Sequence, residues 1–188
     1  MDETELIERL KRRDERAFRE FVQTYQRPVY ALVLRMLGDP EEARDLSQEV
    51  FVSVFRAVGT FRGDSKLSTW LFRIVTNHCR NRQKYLGRRQ YAKRQPYEET
   101  EERADMAVFG ERLPRPDREV EGRHLQSAIQ QAIAALEEDQ RELVVLRDIQ
   151  GLSYEDIQRV TGLPEGTVKS RLHRARLALK EAIAPHVD

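Results

Sequence analysis

The sequence is poor in everything that would tie it to a secreted, membrane-spanning or low-complexity class. It holds one cysteine, Cys79, which excludes an internal disulfide and points to a reducing compartment. Nine glycines and seven prolines in 188 residues are too few for a collagen-like or repetitive chain. No run approaches the ~18 apolar residues that cross a bilayer, and the opening MDETELIERLKRR has no apolar stretch of the signal-peptide kind. With a mean hydropathy of -0.70, a cytoplasmic protein without membrane insertion is expected. Enzyme signatures are missing as well. There is no GxxxxGK[ST] phosphate loop and no GxSxG elbow. His78 beside Cys79, with His124, His173 and His186 scattered, does not give zinc spacing. No catalytic group, metal or cofactor is expected. Net charge is nearly absent too, with 33 basic against 32 acidic residues, so polarity has to be read segment by segment.

Read that way, the charge is strongly segregated. Lys66 to Arg94 holds nine basic residues and no acidic one, whereas Gln95 to His124 holds nine acidic residues against five arginines. The second stretch carries Pro96, Pro114 and Pro116 and no apolar period, the mark of a linker. Two helical blocks joined by a flexible acidic tether follow, with bounds 1–90, 91–124 and 125–188.

Apolar residues recur at three and four in both blocks, and nothing alternates long enough for a sheet, so the expected fold is all-α. Leu6, Ile7 and Leu10 mark a short first helix, and Phe18 through Met36 a long one that Pro28 should kink or split. Asp39-Pro40-Glu41-Glu42 is a start signal for a helix to about Val58. The next helix runs from about Ser65 through the late eighties. In the second block, helices are expected over 125–136 and 139–148. A third, capped by Ser153, reaches about Thr161, and a last one runs from Pro164 to about Ile183.

Two short helices joined by Gly162-Leu163-Pro164 make a helix-turn-helix, a unit that lays its second helix in the DNA major groove. At 100° per residue Val168, Leu172, Ala175 and Leu179 share one side of that helix. Gly166, Ser170, His173 and Arg174 share the other, flanked by Thr167, Lys169 and Arg171. Arg and Lys suit guanine edges, and Ser and Thr suit bases or phosphates. A solvated surface helix is the alternative for such a face. In the first block, Asp45, Gln48, Glu49, Val52 and Arg56 line one side of the helix that starts at Pro40, a contact stripe or a solvated one. On the following helix Trp70, Arg73, Asn77, Asn81 and Lys84 fall together. Cations for phosphates, an aromatic plane for a base and amides for adenine edges suit separated DNA strands.

The strings Gly151-Leu152-Ser153-Tyr154-Glu155-Asp156-Ile157 and Pro164-Glu165-Gly166-Thr167-Val168-Lys169-Ser170-Arg171-Leu172-His173-Arg174-Ala175-Arg176 resemble the promoter-binding domain of sigma-70 family initiation factors, most of all the extracytoplasmic-function (ECF) group. The resemblance implies reading of the upstream (-35) element, with Lys169, Ser170, His173 and Arg174 on bases and Thr167, Arg171 and Arg176 on phosphates. The run Asp45-Leu46-Ser47-Gln48-Glu49-Val50-Phe51 resembles the sigma segment that grips the clamp helices of the polymerase largest subunit. It implies core contacts by Asp45, Gln48 and Glu49, with Val52 and Arg56 at the margin. The span from Phe61 to Asn77 is similar to the ECF segment that melts the proximal (-10) element. It implies that Phe61, Arg62, Asp64, Ser65 and Lys66 hold a flipped base, while Trp70, Arg73, Asn77, Asn81 and Arg82 take the adjacent duplex and strand. The family further implies core RNA polymerase as partner, with its flap meeting the C-terminal domain, promoter DNA both duplex and melted, and an anti-sigma factor.

The tether sets a length problem. About 34 flexible residues average ~30 Å, whereas two DNA turns between elements are ~70 Å. The contour of ~110 Å allows the stretch. A two-domain DNA-binding regulator whose first half senses a ligand or protein remains the other reading, because similar helix-turn-helix units end many response regulators.

Overall fold

The computed structural model describes residues 2–93 and 116–186, and every regular element among them is helical. In chain order they are α1 (Glu3–Lys11), α2 (Glu15–Leu37), α3 (Pro40–Ala57), α4 (Leu67–Lys93), α5 (Pro116–Ala135), α6 (Glu138–Val144), α7 (Tyr154–Thr161) and α8 (Glu165–Ile183). The helix starts follow local chemistry. Asp14 accepts from the Arg16 and Ala17 amides, Asp39 from Glu41 and Glu42, and Ser153 from Asp156, each satisfying donors a helix start leaves free. Pro40 takes the first position of α3, where a missing N–H costs nothing.

Two expectations are corrected. Pro28 does not split α2, which runs unbroken from Glu15 to Leu37. Phe21, Val29, Leu32, Val33 and Met36 are buried along it, and that packing outweighs the one backbone bond proline removes. α4 extends to Lys93 and α5 begins at Pro116, with proline again at a helix start; the acidic tether between them lies outside the described residues. The segment after α6 continues as a wider π-type turn over Val145–Ile149 in place of ordinary helix.

The two blocks also meet. α4 packs on α7, and α2 on α5 and α6, so buried residues of both blocks join in one contiguous core. α4 thereby buries two sides. Leu67, Leu71, Val75 and Cys79 face its own block, as the apolar stripe requires. Thr69 and Thr76 are buried too, and Thr69 bonds to the second block. Burial, helped by the nearby Glu142 carboxylate, pushes the Cys79 thiol up to about 12.

Candidate nucleic-acid and polymerase interface

The melting face predicted on α4 stands clear of both packed sides. Arg73, Asn77, Asn81 and Lys84 are exposed, at spacings that stack them along one side of the helix. Trp70 begins the row half-buried, its ring 5.3 Å from that of Phe61. Phe61 is only 4% exposed, so it underpins Trp70 rather than offering a surface to a base. The family resemblance implies a place for it at the base itself. The loop ahead of α4 presents Arg62, Asp64 and Lys66 to solvent and leaves Ser65 half-buried. Its turn depends on Gly63 at φ 81, a left-handed backbone that side chains disfavour. The start of α4 is fixed from α1, where a Glu3 carboxylate oxygen accepts from the Leu67 amide at 3.0 Å. A carboxylate there also suits the positive end of the helix.

Arg82, which the resemblance places on the adjacent duplex and strand, is held within the chain. It stands one-fifth exposed, bonded to Glu42 and, at 2.7 Å, to Glu49. Burial works against its charge, but the bonds it donates to the two carboxylates outweigh that and hold its pKa above the ordinary value. In this conformation Arg82 braces α4 against α3 instead of reaching for a strand. Such a brace is invisible in helical periodicity, because the partners lie 33 and 40 residues away.

On α3 the stripe Asp45, Gln48, Glu49, Val52 and Arg56 is exposed throughout, and Val52, half exposed, is one of the few large apolar side chains left in water. The other side of α3 explains why: Ala43, Leu46, Val50 and Val54 are buried against the neighbouring helices.

The helix-turn-helix forms as its sequence demands. Gly162 at φ 74 ends α7, its N–H donating to the Gln158 carbonyl, and the extended Pro164 opens α8. Val168, Leu172 and Ala175 are buried beneath, while Lys169, Ser170, His173, Arg174 and Arg176 are exposed and Thr167 and Arg171 half-buried. Three of the cations already hold carboxylates: Lys169 with Glu165 (2.5 Å), Arg171 with Asp139 (2.6 Å) and Arg176 with Asp148 (2.5 Å). The Glu165 bond raises the Lys169 pKa, and the Asp148 bond that of Arg176. Arg147, absent from the sequence reading, lies 4.8 Å from the centre of the Tyr154 ring, with the Lys169 ammonium 5.6 Å from the same ring. Arginine over an aromatic one helix away has no signature in spacing. Among the described residues no cluster of His, Cys, Asp or Glu could hold a metal. No described helix is long and apolar enough to cross a membrane.

A basic helix-turn-helix in an all-helical chain, with an exposed cation-and-amide row beside a tryptophan, is the architecture of a DNA-binding protein. Family models assign the same two parts: the description "Sigma-70 region 2" matches residues 21–89 and "Sigma-70, region 4" matches 126–179. The chain is 39% identical over 187 residues to the RNA polymerase sigma-H factor of Pseudomonas aeruginosa, covering 96% of this chain and 93% of that protein. It is 35% identical over 180 residues to the ECF RNA polymerase sigma-E factor of Escherichia coli K12, with coverage of 96% and 93%. Among solved structures, the sigma factor RpoE in complex with the anti-sigma factor NepR from Bartonella quintana superposes with a TM-score of 0.72 at 26% identity, covering 91% of this chain and 98% of that one. The fold is shared with CnrH in complex with the cytosolic domain of CnrY, at a TM-score of 0.68 and 21% identity over 97% of each chain. The chain belongs to the sigma-70 family of RNA polymerase sigma factors, in its ECF group. It is therefore a non-catalytic initiation factor, which directs core polymerase to promoters and leaves polymerisation to that enzyme.

Proposed function

We propose a division of this role among named side chains. Residues 1–90 form the module that engages core polymerase and the proximal element, 91–124 the linker, and 125–188 the module that reads the upstream element. Asp45, Gln48 and Glu49 pair with basic side chains of the polymerase clamp helices, while Val52 adds apolar contact and Arg56 closes the margin. Arg62, Asp64, Ser65 and Lys66 hold a flipped base, with Phe61 supporting the Trp70 ring from below. Trp70, Arg73, Asn77 and Asn81 take the adjacent duplex and the separated strand, and Arg82 positions that helix. In the upstream element Lys169, Ser170, His173 and Arg174 meet base edges, with Thr167, Arg171 and Arg176 on phosphates. The C-terminal module also meets the polymerase flap. The compartment is the bacterial cytoplasm, and an anti-sigma factor is the expected regulator.

The observation that carries this reading is the exposed row Arg73–Asn77–Asn81 beginning at Trp70. A protein that binds only closed duplex has no use for an aromatic plane beside amides. Stacking one base on an aromatic ring is worth about 1–3 kcal/mol, comparable to the few kcal/mol needed to extrude it, so Trp70 can hold an opened base. The test separates the modules. Lys169→Ala or Arg174→Ala should weaken upstream-element binding by about 1–3 kcal/mol and leave capture by core polymerase unchanged in a pull-down. Trp70→Ala should reduce permanganate-reactive melting more than closed-complex binding. Equal loss of core capture in the first pair, or an undiminished bubble in the second, would overturn the assignments.

A further inference from the structure

α4 begins without a cap of its own. The residue ahead of it is Lys66, whose carbonyl accepts the first helical bond from the Trp70 amide at 3.1 Å but whose ammonium can only donate. The Ser65 hydroxyl beside it donates to the Lys66 carbonyl at 3.3 Å. α2, α3 and α7, by contrast, are each capped by the side chain just before them. The acceptor for α4 comes from Glu3, 64 residues earlier, whose carboxylate takes the Leu67 amide at 3.0 Å. Glu3 lies in the first turn of α1, and α1 is firmly seated. Its Leu10 is 2% exposed, Leu6 and Ile7 pack on the core, and Arg9 donates to Asp14 at 3.0 Å and stands 3.9 Å from Glu20 on α2. α1 also packs on the short turn Val58–Thr60. One helix thus meets the chain on both sides of loop 61–66, at Val58–Thr60 where it leaves and at Leu67 where it returns. α1 stands ahead of residues 21–89, the stretch matched as Sigma-70 region 2, so this strut is an addition to that stretch.

We infer that Glu3 is a positioning residue for promoter opening: from α1 it caps α4, and so fixes both the return of loop 61–66 and the first turn that carries Trp70. This rests on the base-holding reading above. A helix end whose free amides lack an acceptor frays over its first turn. The first bond of α4 joins Trp70 to Lys66, two of the side chains assigned to the opened bases. Trp70 also rests on Phe61, ring centres 5.3 Å apart, so fraying there loosens the loop at both ends. Gly63, at φ 81 and with open space where a side chain would start, gives the bend of the loop no side-chain packing of its own. The Glu3 carboxylate also suits the positive end of α4. Glu3 is exposed, so replacing it leaves no cavity in the core.

The test compares Glu3→Ala and Glu3→Gln with the parent, all as full chains with core polymerase. One template is a promoter selected from bound DNA, with 2-aminopurine in its proximal element to report unstacking. Glu3→Ala should open about fivefold less of it, the worth of a typical cap. Unlabelled templates, changed one base at a time through the same element, report base preference by run-off transcription. With Glu3→Ala the preference for the native base at the most selective position should fall by about the same factor. Glu3→Gln, whose carboxamide oxygen still accepts the Leu67 amide, should stay within about twofold of the parent in both readouts. Core capture and closed-complex binding should not change for either variant. Undiminished opening by Glu3→Ala overturns the inference, and so does a Glu3→Gln chain that behaves like Glu3→Ala. A mere loss of folded chain lowers transcription from native and changed templates alike; an intact base preference therefore overturns it too. A parent chain that unstacks no base with core polymerase strikes the base-holding reading instead.

Discussion

Single side chains set the helix starts, and these were the most readable features of the sequence. Asp14, Asp39 and Ser153 cap α2, α3 and α7, the latter two where spacing places them. Asp14 does more than cap. The Arg9 guanidinium bonded to it, with the Ala17 and Arg16 amides, holds its carboxyl at about 2, against an ordinary 3.8. Its folded pKa lies below the unfolded one, so its contribution to stability is complete above the ordinary value and fades as pH falls through about 2. A carbon-detected NMR titration should place the Asp14 carboxyl near 2, and Arg9→Ala should move it up; a native midpoint at the ordinary value would contradict the pairing. What spacing could not reveal is which charges meet. The family resemblance implies DNA for Arg82 and polymerase for Glu49, yet the two bond to each other across 33 residues. Arg80 and Glu142 meet across 62. A one-dimensional pattern assigns a residue to a face of its own helix and says nothing of the helix opposite.

Whole helices were foreseen wherever one face is apolar and the ends are marked, as in α3, α7 and α8. They departed from expectation where tertiary packing overrides a local rule, as at Pro28, or where a helix extends into charged sequence, as α4 does to Lys93. The two buried threonines of α4 show the same limit, since hydroxyls on a helix read as solvated until a second block covers them. α4 also offers a clean separation of stability from function. Leu71 is fully buried, and Leu71→Ala should cost about 2–5 kcal/mol in urea unfolding. Asn77 is exposed, and Asn77→Ala should stay within about 0.5 kcal/mol of the parent while lowering promoter opening. Substantial destabilisation by the Asn77 change would mean that this face is structural.

At the scale of the molecule, composition disclosed two blocks and an acidic stretch between them, but not that the blocks clasp. Their interface is built from residues that each look like ordinary surface: Thr69, Arg80, Arg141, Glu142, Asp156 and Arg159. Both modules belong to one initiation factor, and the α3 stripe, the α4 row and the α8 face all stand exposed. Purified chain, core RNA polymerase and a promoter template selected from bound DNA, followed by run-off transcription with permanganate mapping of unpaired thymines, tests that assignment most directly. Specific transcripts should begin downstream of a reactive bubble, and replacing Trp70 with Ala should shrink the bubble. Transcripts that appear only when another sigma factor is added, with no bubble from this chain and core alone, would contradict it.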